Sequence, residues 1–300
     1  MHSTLCYICR TMVRTYLIST EHLENVLWFR DREDFITGMN HVAVQASFGK
    51  VIVLAFTLMS NHVHFVLKGK YDDVEDFANG FKQRYSKYYR HKYGVQKFLR
   101  HNNVDIREIP WADEAPERAI AYVHMNCVAG NICSHPFQYP WGSGGLFFCE
   151  SHPSGRRVDS LSKRTLMHLI HSKADTVPGD WIIGEDGYIL PHCYVNVKAV
   201  EARYRTPKRM DYFLWNSSKA RVKLEISENQ LPSFSDQVIL SAVPELCRSL
   251  FQKKSFQSLS PEEQTEFARQ VRFRFSSSPN QIARVCGITY AEVAKILDSV

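Results

Sequence analysis

The 300-residue chain has no run of about 18 apolar residues, which excludes a membrane-spanning helix of ordinary length. Its opening stretch, MHSTLCYICRTMVRTY, lacks the basic, apolar and small-residue order of a secretory signal, so a cytoplasmic location is expected. The eight cysteines (Cys6, Cys9, Cys127, Cys133, Cys149, Cys193, Cys247, Cys286) show no repeating spacing, which argues against a disulfide framework and for free thiols. The one C-x-x-C, Cys6 to Cys9, has no second pair to complete a tetrahedral zinc site. No internal repeat or low-complexity run is present. Excess charge is small as well: net +6 permits attraction to polyanions without requiring it. What the chain does have is 44% hydrophobic and 12% aromatic content, enough for a large core in one large or two modest domains.

Periodicity makes the first half legible. A β-branched stretch TYLIST (15–20) precedes a helical pattern at 32–46, and an apolar run KVIVLAFTLM (50–59) breaks at Ser60-Asn61 before HVHFVLKG. A long helix is expected over about 73–93, an extended piece at 104–111 and a second helix near 114–129. The order β-α-β-β-α-β-α predicts an α+β fold built on a ferredoxin-like (RRM-like) antiparallel sheet. Its helices cover one face, and the other is left for a site. Turn-rich WGSGG and SHPSGRR then mark a boundary. The expected organisation is a catalytic-looking domain at 12–148, an appendage of unassigned fold at 149–225, and a helical C-terminal domain at 226–300. Residues 1–11 read as an extension ahead of the first strand.

The C-terminal SSPNQIARVCGITYAEVAKIL carries two capping boxes, Ser278 with Gln281 and Thr289 with Glu292, and Pro279 stands at a first helical position. Gly287 permits a turn between two short helices, and Ile282, Ile288, Val293 and Ile296 supply a shared core. This is a helix-turn-helix pattern over 279–298, and Tyr290 and Lys295 are its candidate DNA contacts. A purely structural helical hairpin fits the same residues.

In FTLMSNHVHFVLKG, strand alternation puts His62 and His64 on one face and Val63, Phe65 and Leu67 on the other. Two imidazoles at that spacing can share a divalent cation, although surface strands carry such pairs too. In ERAIAYVHMNCVAGN, Tyr122 and Asn126 are one helical turn apart, so Asn126 could add an oxygen ligand while Tyr122 presents its phenol to a phosphate. The alternative is that Tyr122, followed by Met125 and Val128, is part of a core-facing stripe. The segment FKQRYSKYYRHKYG holds Lys82, Arg84, Lys87, Arg90 and Lys92 with no acid, interleaved with Tyr85, Tyr88, Tyr89 and Tyr93. That is the composition of a single-strand groove, or of a solvated basic face over an aromatic core.

TLMSNHVHFVL resembles the histidine motif of the HUH endonucleases. AYVHMNCVAGN followed by YPWGS resembles the tyrosine helix of single-tyrosine transposases (IS200-like), especially the REP-associated tyrosine transposases, and order and spacing agree over roughly 14–143. The resemblance implies that His62, His64 and Asn126 bind Mg²⁺ or Mn²⁺. It also implies that Tyr122 attacks single-stranded or hairpin DNA, leaving a 5′-phosphotyrosine and a free 3′-hydroxyl. Two departures bear on substrate choice: Cys127 stands where relatives carry proline, and VQKFLRHNNVDIREIPW replaces a glycine-histidine-aromatic-glutamine-x-arginine stretch. The expected activity is a metal-dependent endonuclease and strand transferase. Its expected partners are single-stranded or hairpin DNA and, at the C-terminal helices, duplex DNA; a homodimer is compatible and no membrane is involved. The rivals are a non-catalytic, transposase-derived DNA-binding regulator and a metallohydrolase that uses water.

Overall fold

The computed structural model describes residues 11–23, 25–151, 153–173, 176–220 and 234–298. Cys6 and Cys9, and the first residues of the expected C-terminal domain, lie outside them. The six cysteines within them are free thiols, and no helix among the described residues is long and apolar enough to cross a membrane. The chain divides into two compact units, one comprising Met1–Glu21, Arg32–Met59 and Val63–Val222, the other His22–Asp31, Ser60–His62 and Lys223–Val300.

In the first unit, β1 (Arg14–Thr20), α1 (Arg32–Ala46), β2 (Ile52–Met59), β3 (His62–Gly69), α2 (Tyr71–Tyr93) and β4 (Val104–Ile109) follow the expected order. The sheet order is β2-β3-β1-β4, and β1 runs antiparallel to both neighbours, with Ser19 opposite His64 and Ile18 opposite Phe65. This is the α+β sheet that the alternation of short β-branched runs with two longer helices predicts. Phe65 meets Phe77 and Phe81 of α2 edge to face at 5.4 and 5.6 Å, so the odd-numbered side of β3 is the helix-covered core side. A buried carboxylate fastens the start of α1 to the end of α2. Asp34 accepts from Tyr88 Oη (3.0 Å), Lys92 Nζ (2.9 Å) and Tyr93 Oη (2.7 Å), the full set of partners a charge needs when it leaves water. Gly94, at φ +67°, ends α2 and returns its N–H to Arg90 O.

The other side of the sheet receives α3 (Ala115–His124), which starts with Pro116 in its first turn and packs on β2; after Met125 the single turn α4 (Asn126–Ala129) follows. The expected helix at 114–129 is thus interrupted at Met125. The appendage contributes a two-stranded ribbon of β5 (Gly155–Arg157) and β6 (Ile182–Gly184), with α5 (Lys163–Ile170) between them in sequence, then α6 (Val197–Tyr204) and α7 (Pro207–Trp215). The last two helices pack on α3. Glu117 of α3 is almost wholly buried and takes Arg203 Nη2 at 2.8 Å, while Tyr204 Oη donates to the Glu117 carbonyl at 2.6 Å. Together these hold α3 from its outer side.

The second unit is largely helical: α8 (Asp236–Phe251), α9 (Pro261–Phe275), α10 (Pro279–Cys286) and α11 (Tyr290–Asp298) share a core of Ile239, Leu246, Phe267, Ile282 and Val293. Both expected capping boxes form, Ser278 with Gln281 and Thr289 with Glu292. Gly287 takes φ +72°, the left-handed conformation that glycine adopts without a Cβ penalty. Ile288 and Ile296 pack against this core as expected.

Candidate metal and nucleophile site

β3 carries both motif histidines, so their relative position is set by one continuous strand. Their face is not solvent-facing, because both rings are buried. Asn61, in the turn before β3, orients the first ring. Its amide nitrogen donates to Leu23 O at 2.7 Å, which turns its Oδ1 towards His62 Nδ1 at 2.8 Å. A carboxamide oxygen only accepts, so His62 carries its proton on Nδ1, and Nε2 of the neutral ring holds the lone pair that a metal requires. His64 Nδ1 is engaged by Ser19 Oγ, its cross-strand partner, at 2.8 Å.

The structure adds a third histidine that the sequence analysis missed. His22 stacks on His62 with ring centroids 3.6 Å apart and planes 15° from parallel, and the ligand atoms of His22, His62 and His64 all fall within 4.8 Å of one another. This triad could hold a metal ion. Rings in nearly parallel planes cannot both aim an in-plane lone pair at one ion, so coordination by both requires His22 to turn. Its exposure leaves room for that. His22 follows β1 in a loop without periodicity, and a lone histidine there carried no spacing signal.

Tyr122 comes from α3. Its ring stands edge-on to His64, with centroids 5.7 Å apart and planes at 82°. Burial pushes its phenol above the usual tyrosine value; the positive charge of Arg107 opposes that rise and the negative charge of Asp105 adds to it. The ammonium of Lys219 lies 5.0 Å from the centroid of the Tyr122 ring, and burial lowers its pKa. Nothing in the sequence marked Lys219, which lies about one hundred residues from the tyrosine. Asn126 is buried, and its amide nitrogen donates to the carbonyls of Tyr122 (2.8 Å) and Val123 (3.2 Å) where α3 ends. Its Oδ1 is the atom a ligand role would use. His124 points elsewhere, bonding Ser143 Oγ at 2.9 Å.

The basic residues of α2 separate into two groups. Lys82 donates to Asn102 O, Lys92 pairs with Asp34 and Glu33, and Arg84 packs over Phe48 and donates to Ser172 Oγ at 2.7 Å. Lys87 and Arg90 face solvent. Tyr85, Tyr88 and Tyr89 are buried, so these three rings form core rather than a stacking surface. In the C-terminal helices Tyr290 and Lys295 are exposed.

No family model matches the sequence, and no curated protein matches it. A solved structure described as "Structure of the REP associates tyrosine transposase bound to a REP hairpin" aligns at 13% identity, over 48% of this chain and 82% of that one, with a TM-score of 0.34. The likeness is partial.

Proposed function

We propose that the protein is a metal-dependent endonuclease and strand transferase that cuts single-stranded, hairpin-bearing DNA through a covalent phosphotyrosine on Tyr122. The observation that carries this reading is the edge-on approach of Tyr122 to His64 within a cluster of three histidines. His62, His64 and His22 would hold the cation, with Asn126 Oδ1 as the alternative third ligand. The donor set fits a transition cation better than hard Mg²⁺, which prefers oxygen, so of the two expected ions Mn²⁺ is favoured. A divalent cation there would polarise a non-bridging oxygen of the scissile phosphate.

The chain's own residues supply the rest. Tyr122 Oη attacks phosphorus and releases its proton, a Tyr–O–P bond forms, the P–O3′ bond breaks, and the 3′-oxygen leaves as a hydroxyl after protonation. Strand transfer reverses these steps with a second 3′-end, so no nucleotide cofactor is needed. The cation of Lys219 favours negative charge on the phenol or on the phosphate it meets. Hairpin DNA as substrate is taken from the sequence resemblance.

The test is incubation with end-labelled hairpin single strands and Mn²⁺, read on denaturing gels and by mass spectrometry for wild type, Tyr122→Phe and His64→Ala. An adduct of protein and 5′-phosphate in wild type alone is the expected result. Cleavage that survives Tyr122→Phe would assign the attack to water, and metal-independent binding without any cleavage would make the protein a regulator.

A further inference from the structure

The second unit carries an aromatic side chain where a stable helix has no use for one. Phe273 on α9 is 86% exposed, more than any other large apolar residue among those described. Its helix buries Phe267, Ala268 and Val271 in the core, and the helical period puts Phe273 on the opposite side, one turn beyond Arg269 and flanked in sequence by Arg272 and Arg274. All three arginines are exposed, and Gln270 Oε1 braces the Arg274 guanidinium at 3.0 Å. From Phe267 to Ala291 the chain contains no Asp or Glu. The expected reading helix α11, by contrast, exposes Glu292 beside Tyr290 and Lys295 and has little excess charge.

We infer that the C-terminal turn of α9, rather than α11, is a nucleic-acid contact surface, and that its occupant is an unpaired strand. Three guanidiniums suit a phosphate backbone, and an outward phenyl ring offers an unstacked base the apolar face it loses on leaving a duplex. A duplex would satisfy the arginines and leave the ring in water. The surface acts without the tyrosine chemistry, so it stands or falls independently of the proposed function.

The experiment uses the full chain as Tyr122→Phe, without metal, and follows binding of a single-stranded oligonucleotide carrying 2-aminopurine by anisotropy and by base fluorescence over a salt series. Phe273→Ala should weaken binding by about fivefold or more, the change that losing one stacked base produces, without lowering the melting temperature. Phe273→Trp should retain affinity and quench the probe. Arg272→Ala with Arg274→Ala should reduce the slope of log affinity against log salt by about 1.4, two single-strand phosphate contacts. Unchanged affinity in Phe273→Ala, an unchanged slope in the arginine pair, or equal losses on duplex and single strand would each overturn the assignment.

Discussion

Asn61 bonds at once to Leu23 O and to His62 Nδ1, and this small relay leaves Nε2 as the nitrogen of His62 that could serve a cation. Such outer partners typically control metal affinity by 10- to 100-fold, so Asn61→Ala should weaken Mn²⁺ binding by about that range in a chelator competition titration while the secondary structure stays intact. An affinity equal to wild type would mean that the tautomer is held by something else. Lys219 lends itself to a different measurement. Lys219→Met should slow DNA cleavage by about tenfold with Mn²⁺ affinity unchanged, and Lys219→Arg should restore most of the rate, because the cation rather than the stem is what a developing negative charge feels. Equal rates in all three proteins would reduce the contact to packing. Neither His22 nor Lys219 could be read from the sequence, because each reaches the site from a segment without periodicity and through contacts that spacing does not encode. That His62 and His64 share one face of β3 was legible because a strand alternates with period two, and Tyr122 was singled out by its place one helical turn before Asn126.

At the scale of elements, β1 to β4 and the two long helices follow from alternation and helical period, and the two C-terminal helices follow from their capping boxes and Gly287. The basic run of α2 divides, with Lys82, Arg84 and Lys92 engaged inside the chain and Lys87 and Arg90 facing solvent. Composition cannot distinguish a lysine that meets DNA from one that closes on a carboxylate elsewhere in the chain, and Lys92 closes on Asp34, a contact between two helices. Two further helical residues set how the first unit responds to acid. His41 on α1 and His124 on α3 are fully enclosed, and burial holds both down to about 3 against an ordinary 6.5. In the unfolded chain they take up protons below about 6.5, whereas the folded chain refuses them until about 3. Stability is therefore whole above that window and falls as pH drops through it, by about 1.4 kcal/mol per pH unit for each histidine. Circular dichroism on acidification should show the first unit unfolding inside this window, and His124→Gln should move the midpoint to lower pH. A midpoint that does not move would place the acid sensitivity in other groups.

At the scale of the whole molecule, the sequence assigned no fold to residues 149–225, and the reason is visible in their contacts. α6 and α7 are short, and they pack on α3 through Arg203, Tyr204 and the buried Glu117. Such pairings are specified by residues far apart in the chain and leave no local pattern. Their consequence is that α3 is held from both sides, against the sheet within and the appendage without, so the edge-on placement of Tyr122 against His64 is fixed by packing inside the first unit. A site prepared in this way should report its ligand through stability. A cation that binds only the folded chain stabilises it by about 2.7 kcal/mol at one hundred times its dissociation constant, which for a chain of this size raises the melting temperature by a few degrees. Mn²⁺ should do so for wild type and for Tyr122→Phe, which retains every proposed ligand. It should do so less for His22→Ala and not at all for His62→Ala combined with His64→Ala, with all four proteins compared by calorimetry in chelator and in Mn²⁺. A shift that persists in the double histidine variant would place the ion elsewhere, and with it the phosphate that Tyr122 is proposed to attack.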